Sequence, residues 1–313
     1  MKRNAKLITV CSLMAIVCLI ITPASGVWSA EKVSTPFQYS GYSFAEYNSY
    51  TSSSDYVTMS DGVKLAVTWY LPSDGPPKES FPVVFTYLPY HRENIYPATG
   101  ELKMFYSPEI MELFTSHGYA MAFADMRGTG ISFGYQTVGS SQAPLDGKEL
   151  VDWIEVQSWC DGNVGMIGGS YFGLTQFYVA SQKPAALRCI IPEYTVFDAY
   201  SGGVDYPGGI LNKSRAVAKT NLRNTLNKNM YIPGVLFPTA PVIDEDGDGE
   251  LADEIPLDLN GNFIFTDDYE LPGNPPQYSD GEERQHIYYQ ATMERISGDD
   301  VMELPENLPF RDI

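Results

Sequence analysis

Apolar residues in this chain fall into short continuous runs separated by segments of helical periodicity. Phe81 to Tyr87 (FPVVFTY) and Tyr119 to Ala124 have the length of buried strands. Between them, about Pro108 to His117, Ile110, Leu113 and Phe114 recur at helical spacing, and about Asp146 to Gln157, Leu150, Val151 and Ile154 do the same. A third apolar stretch, Val164, Met166 and Ile167, leads into Gly168-Gly169-Ser170-Tyr171-Phe172-Gly173, and a helix-like run from Leu174 to Ala180 leaves it. Strands alternating with helices predict a mostly parallel sheet covered on both faces, hence an α/β fold class.

The glycine-flanked serine is the chemical signal of the chain. A strand, a sharp turn bearing Ser170 and a helix form the pattern of a serine nucleophile elbow. The strained turn lifts the hydroxyl above the sheet edge and leaves no room for side chains beside it, which accounts for Gly168 and Gly173. Ser170 is expected at the carboxyl end of a central strand, where open α/β sheets bind ligands.

The stretch Val151-Asp152-Trp153-Ile154, then Gln157 to Met166 (QSWCDGNVGM), then the elbow, resembles the X-Pro dipeptidyl-peptidase and cocaine-esterase-like hydrolases, as do Pro89-Tyr90 and Asp125-Met126-Arg127-Gly128. The resemblance spans about Tyr56 to Ile313. It implies an α/β-hydrolase domain, a mainly helical cap inserted after the sixth strand, and a later jelly-roll domain. By the same resemblance Ser170 is the nucleophile, and the oxyanion hole comes from the backbone amide of Tyr171 and the hydroxyl of Tyr90. Asp125 and Arg127 are expected to tie a loop to the sheet, without chemistry.

A serine hydroxyl needs an adjacent base, and in this fold the acid and the histidine follow the serine in chain order. Only His286 does so, and its surroundings, Glu282 to Ile296, read as an amphipathic cap helix rather than a loop after a late strand. His91 and His117 precede Ser170. Asp312 lies in a segment resembling the end of the family's cap, so the chain is expected to stop before its catalytic Asp and His. The organisation that follows is a signal peptide at 1–26, a Ser- and Tyr-rich arm at 27–54, the hydrolase core at 55–195 and a cap at 196–313. The first strand pair should turn around Asp61-Gly62.

The chain begins with Lys2, Arg3 and Lys6, an apolar run from Leu7 to Ile21, and Thr22-Pro23-Ala24-Ser25-Gly26. A basic start, a hydrophobic stretch short for a bilayer and small residues at its exit predict a secretory signal and a secreted or periplasmic protein, with an uncleaved anchor as the alternative. The 313 residues carry a net charge of -19, which argues against nucleic acid or an anionic membrane as partner, since both call for clustered Lys and Arg. Once a signal is removed, Cys160 and Cys189 remain. They flank neighbouring strands of the expected sheet and are read as buried thiols, with a disulfide as the alternative.

Much of the acidity lies after Asp244. In Asp244-Glu245-Asp246-Gly247-Asp248-Gly249-Glu250, carboxylates stand at first, third and fifth positions with a glycine at the sixth. That spacing lets one loop direct Asp244, Asp246 and Asp248 at a single Ca²⁺, with the carbonyl of Glu250 and a closing carboxylate from Asp253 or Glu254. Position twelve is Ile255, a departure from an EF-hand. A weaker version follows in the same 244–268 region. Such a Ca²⁺ would brace the cap. No cofactor is expected in catalysis.

Three functions fit. The first is an exported serine hydrolase cleaving an ester or amide, from an X-Pro peptide or a small acyl ester. The second is a non-catalytic secreted Ca²⁺-binding module on a vestigial hydrolase core. The third is amino-acid ester hydrolysis or acyl transfer on the same scaffold, in which Asp205 would meet a substrate ammonium.

Overall fold

The computed structural model describes residues 43–96, 99, 101–135, 142–197 and 207–210, scattered positions between 212 and 255, and 287–296. The chain divides into two units, Met1–Ser43 and Phe44–Ile313. The fold below belongs to the second, and the signal-like segment lies outside the described residues.

A hairpin opens the sheet. β1 (Ser49–Thr58) pairs antiparallel with β2 (Lys64–Ser73) through the expected turn, where Gly62 takes φ 90. β1 starts inside the stretch assigned to the arm. Its small polar residues suit an outermost strand wetted along most of its length, with Val57 alone fully buried.

β3 (Phe81–Leu88), β6 (Ala120–Asp125), β7 (Cys160–Gly169) and β8 (Leu187–Glu193) are mutually parallel, and the described order is β1-β2-β6-β3-β7-β8. Alternation sorts their side chains onto two faces. Val83, Phe85 and Tyr87, the alanines 120, 122 and 124, Val164 and Met166 meet Leu150, Val151 and Ile154 of helix α2 (Gln142–Glu155) and Val179 of α3 (Ser170–Ser181). Val84, Leu88, Met121 and Phe123 meet Met111 of α1 (Pro108–Ser116) on the other face. The buried side of α1 is Met111 and Thr115, while Ile110 and Leu113 are exposed, contrary to the periodicity. The helix turns an i, i+4 pair to the sheet, and the Thr115 hydroxyl satisfies itself on the Met111 carbonyl at 2.8 Å.

A second sheet lies past the end of β3. β4 (Glu93–Tyr96) pairs with β5 (Glu101–Met104) and with β9 (Ala240–Pro241), which brings the segment near residue 240 beside the loop that follows Tyr90. Helix α4 (Ile287–Ile296) docks on the loop after β6: Arg295 Nη1 donates to the Gly130 carbonyl at 2.6 Å, and Glu294 accepts the Gly134 amide at 2.9 Å. Among the described residues no helix is long and apolar enough to cross a membrane.

Candidate active site

Ser170 directly follows the last residue of β7 and opens α3, exposed, with φ 56. A non-glycine residue in the left-handed region is costly and persists where its surroundings dictate it. Three features pack the turn closely on either side of Ser170. A Cβ on Gly168, itself at φ 139, would overlap the Phe172 ring, and one on Gly173 would stand 2.8 Å from the Glu193 carbonyl and 3.0 Å from that of Gly168. Gln176, fully buried on α3, donates to the Gly168 carbonyl at 3.1 Å and accepts the Ile191 amide at 2.9 Å, lacing helix, elbow and β8 together.

Tyr171 occupies the first turn of α3, where backbone amides have no carbonyl four residues back within the helix. Tyr90, half-buried just past β3, meets Phe172 edge to face at 6.0 Å, and Phe105 meets Phe172 at 5.1 Å. The structure thus brings Ser170, Tyr171 and Tyr90 to one end of the sheet. Edge-to-face aromatic pairs of this kind fix ring orientation, which a hydroxyl donor at the ring's tip requires.

The loop that holds Tyr90 is pinned residue by residue. His91 is buried, and its Nδ1 and Nε2 lie 3.1 Å from Asn94 Oδ1 and from the Leu226 carbonyl. Burial pushes its imidazole below the ordinary value, against a smaller opposing pull from Asp125. Arg92 gives its amide to Asp125 Oδ1 at 2.7 Å and its Nη1 to Asp125 Oδ2 at 3.1 Å, with both side chains fully buried. Arg92 Nε and Nη2 have no partner among the described residues. Glu93, also buried, accepts the hydroxyls of Tyr70 and, at 2.7 Å, Thr68.

Arg127 binds Asp146 of α2 through Nε at 2.8 Å and Nη2 at 2.7 Å, and Asp61 of the first turn through Nη1 at 2.9 Å. Burial alone would lower its pKa, but these hydrogen bonds outweigh it and keep the guanidinium charged. Asp125 and Arg127 are therefore the fastenings expected of them. His117 is occupied locally, its Nδ1 2.7 Å from the Leu113 carbonyl. His286 and Asp205 lie outside the described residues.

Glu193 was not singled out in the sequence. It ends β8 in register with Gly169, one residue from the nucleophile, and its exposed carboxylate helps burial to raise the phenol of Tyr106. The signal for it was the short apolar run Cys189 to Pro192, a candidate strand following the elbow helix.

Of the expected Ca²⁺ ligands, Asp244 and Glu254 are described, and Asp246, Asp248, Glu250 and Asp253 are not. Asp244 Oδ1 accepts the Gly247 amide at 2.8 Å, and Gly247 and Gly249 take φ 78 and 86. Among the described residues no group of three or more metal-binding side chains occurs. Cys160, buried on β7, and Cys189, exposed on β8, are free thiols. The exposure of Cys189 departs from the expectation of a buried thiol, because β8 is the outermost described strand on that side.

Residues 61–232 match the model of the X-Pro dipeptidyl-peptidase family, S15. The chain is 34% identical over 188 residues to a protein of Mycobacterium bovis provisionally named a serine esterase, an alignment covering 56% of this chain and 29% of that one. It is 36% identical over 157 residues to the cocaine esterase of Rhodococcus sp., covering 50% and 25%. A solved CocE/NonD family hydrolase from Staphylococcus aureus is 28% identical with a TM-score of 0.48, covering 58% of this chain and 35% of that one. The chain spans less than a third of the length of the curated relatives it matches.

Proposed function

Because the chain belongs to the X-Pro dipeptidyl-peptidase family, S15, we propose that it carries the hydrolase core of an exported serine hydrolase that cleaves an ester or amide through an acyl-enzyme on Ser170. The observation that carries this is the left-handed Ser170 at the tip of β7, hemmed by Gly168 and Gly173. Strained backbone of this kind clusters at active sites, and here it presents an exposed hydroxyl at the strand-to-helix turn of a nucleophile elbow. In the first step Ser170 Oγ attacks the scissile carbonyl and passes its proton to a base. The oxyanion that forms is met by the Tyr171 amide and the Tyr90 hydroxyl, donors aimed at charge that develops only in the transition state. Collapse expels the alcohol or amine, and water then releases the acyl group by the same route.

Both ring nitrogens of His91 and Nδ1 of His117 are engaged in structural bonds, which supports a base other than these two residues. The names of the relatives, a cocaine esterase among them, support small acyl esters as substrates, and the family supports X-Pro peptides. Export rests on the basic start and short apolar run of residues 1–26. The 244–255 loop is read as a Ca²⁺ brace for the cap, supported by the Asp244–Gly247 bond and by two glycines in the left-handed region, the backbone of a tight ligand loop. Turnover of p-nitrophenyl esters and X-Pro p-nitroanilides by the full-length protein, compared with Ser170→Ala, tests the reading. Loss of turnover by several orders of magnitude with the fold retained is expected, and unchanged turnover would remove Ser170 from the mechanism.

A further inference from the structure

Three consecutive residues after β3 are held in three directions: Tyr90 against Phe172 of the elbow, His91 against Leu226, and Arg92 against Asp125. His91 is the unusual member. It takes φ 65, a left-handed backbone that histidine adopts more readily than most residues but at a cost, and it does so while buried. A carbonyl can only accept, so Nε2 carries the proton and donates to Leu226. In the neutral ring that burial favours, Nδ1 is then an acceptor; Asn94 Oδ1 stands 3.1 Å from it, so the pair is satisfied with the Asn94 amide assigned the other way round, its nitrogen donating to Nδ1. Asn94 belongs to β4, which pairs with Ala240 and Pro241. Through one side chain, therefore, the peptide following Tyr90 is bonded to the small sheet on one side and to a segment 135 residues further along the chain on the other.

We propose that His91 is a positioning residue for Tyr90, fixing the direction of the Tyr90 hydroxyl by holding the left-handed peptide that follows it and coupling that direction to the placement of the Leu226 segment. The proposal rests on the assignment of Tyr90 as an oxyanion donor. Its physical basis is the steep dependence of oxyanion stabilisation on donor placement: a donor displaced by about 1 Å costs up to about a hundredfold in rate. If the bond to Leu226 is lost, φ at His91 is free to relax toward the common region, and the backbone rotation swings the preceding ring away from Phe172. The elbow itself, held separately by Gln176 and the glycines, stays in place.

The experiment is a double-mutant cycle in the full-length protein, read as kcat and KM on a p-nitrophenyl ester with thermal stability measured alongside. His91→Asn keeps a side chain that tolerates φ 65 but is too short to reach Leu226, and His91→Gln keeps an amide nitrogen near the position of Nε2. The expected result is a fall in kcat of about tenfold to a hundredfold in His91→Asn at nearly constant KM, with recovery to within about threefold in His91→Gln. In a Tyr90→Phe background His91→Asn should lower kcat no further, because the donor it positions is gone. Equal fold losses in both backgrounds, with Tyr90→Phe itself impaired, would overturn the positioning role while leaving Tyr90 as donor. An unimpaired Tyr90→Phe would overturn the donor assignment and this inference with it. A change in melting temperature or KM with kcat unmoved would make His91 structural only.

Discussion

Phe172 fills the space that a side chain on Gly168 would need, so the residue two after the nucleophile excludes any side chain two before it. Gly169, by contrast, has nothing nearer than 3.4 Å to an added Cβ and an ordinary extended backbone. Gly168→Ala should therefore destabilise by about 3 kcal/mol, combining overpacking with a left-handed alanine. Gly169→Ala should cost under about 1 kcal/mol. Urea denaturation of the two variants checks the contrast, and equal losses would mean that Phe172 yields.

Asp125 is the sole ion-pair partner of the buried Arg92 among the described residues and also accepts the Arg92 and Ile131 amides. Asp125→Ala should cost about 3–5 kcal/mol, because it strands a guanidinium already short of partners for Nε and Nη2. A loss below about 1 kcal/mol by chemical denaturation would show that water reaches Arg92.

Much of the fold was legible because it rests on local pattern. The runs at 81–87 and 119–124 and the helix carrying Leu150, Val151 and Ile154 are where continuous apolar stretches and 3.6-residue periodicity place them. Ser170 with its two glycines was equally legible, since a strained turn restricts which residues can flank it. What was hidden depends on contacts across long sequence separations. Nothing local distinguishes His91 as a bonded, buried residue until Leu226 is brought beside it, 135 positions later. β4, β5 and β9 are too short for periodicity to reveal, and β9 is two residues long. The exposed Ile110 and Leu113 show the converse failure: helical spacing identifies a helix, but the sheet decides which side of it is covered.

Acid should weaken the protein through His91. Burial holds its folded pKa below the ordinary 6.5, so the unfolded chain takes up a proton there more readily than the native protein. The contribution is fully present above pH 6.5 and is lost as pH falls from there toward the depressed folded value. His91→Asn should flatten that limb of a plot of unfolding free energy against pH, and an unchanged slope would assign it to other groups.

Ca²⁺ should raise the melting temperature, and Asp246→Ala and Asp248→Ala should each erase the increment. Binding to the native state alone stabilises by about 2.7 kcal/mol at a hundredfold excess over Kd. A melting curve unmoved by chelation would leave the 244–255 segment a solvated acidic loop.

The central claim is that Ser170 is a nucleophile, and a fluorophosphonate reads that directly. The full-length protein should take up one equivalent, and peptide mass mapping should place the adduct on Ser170, with none formed in Ser170→Ala. Efficient ester turnover with no adduct on Ser170, or with the adduct on another serine, would contradict the account.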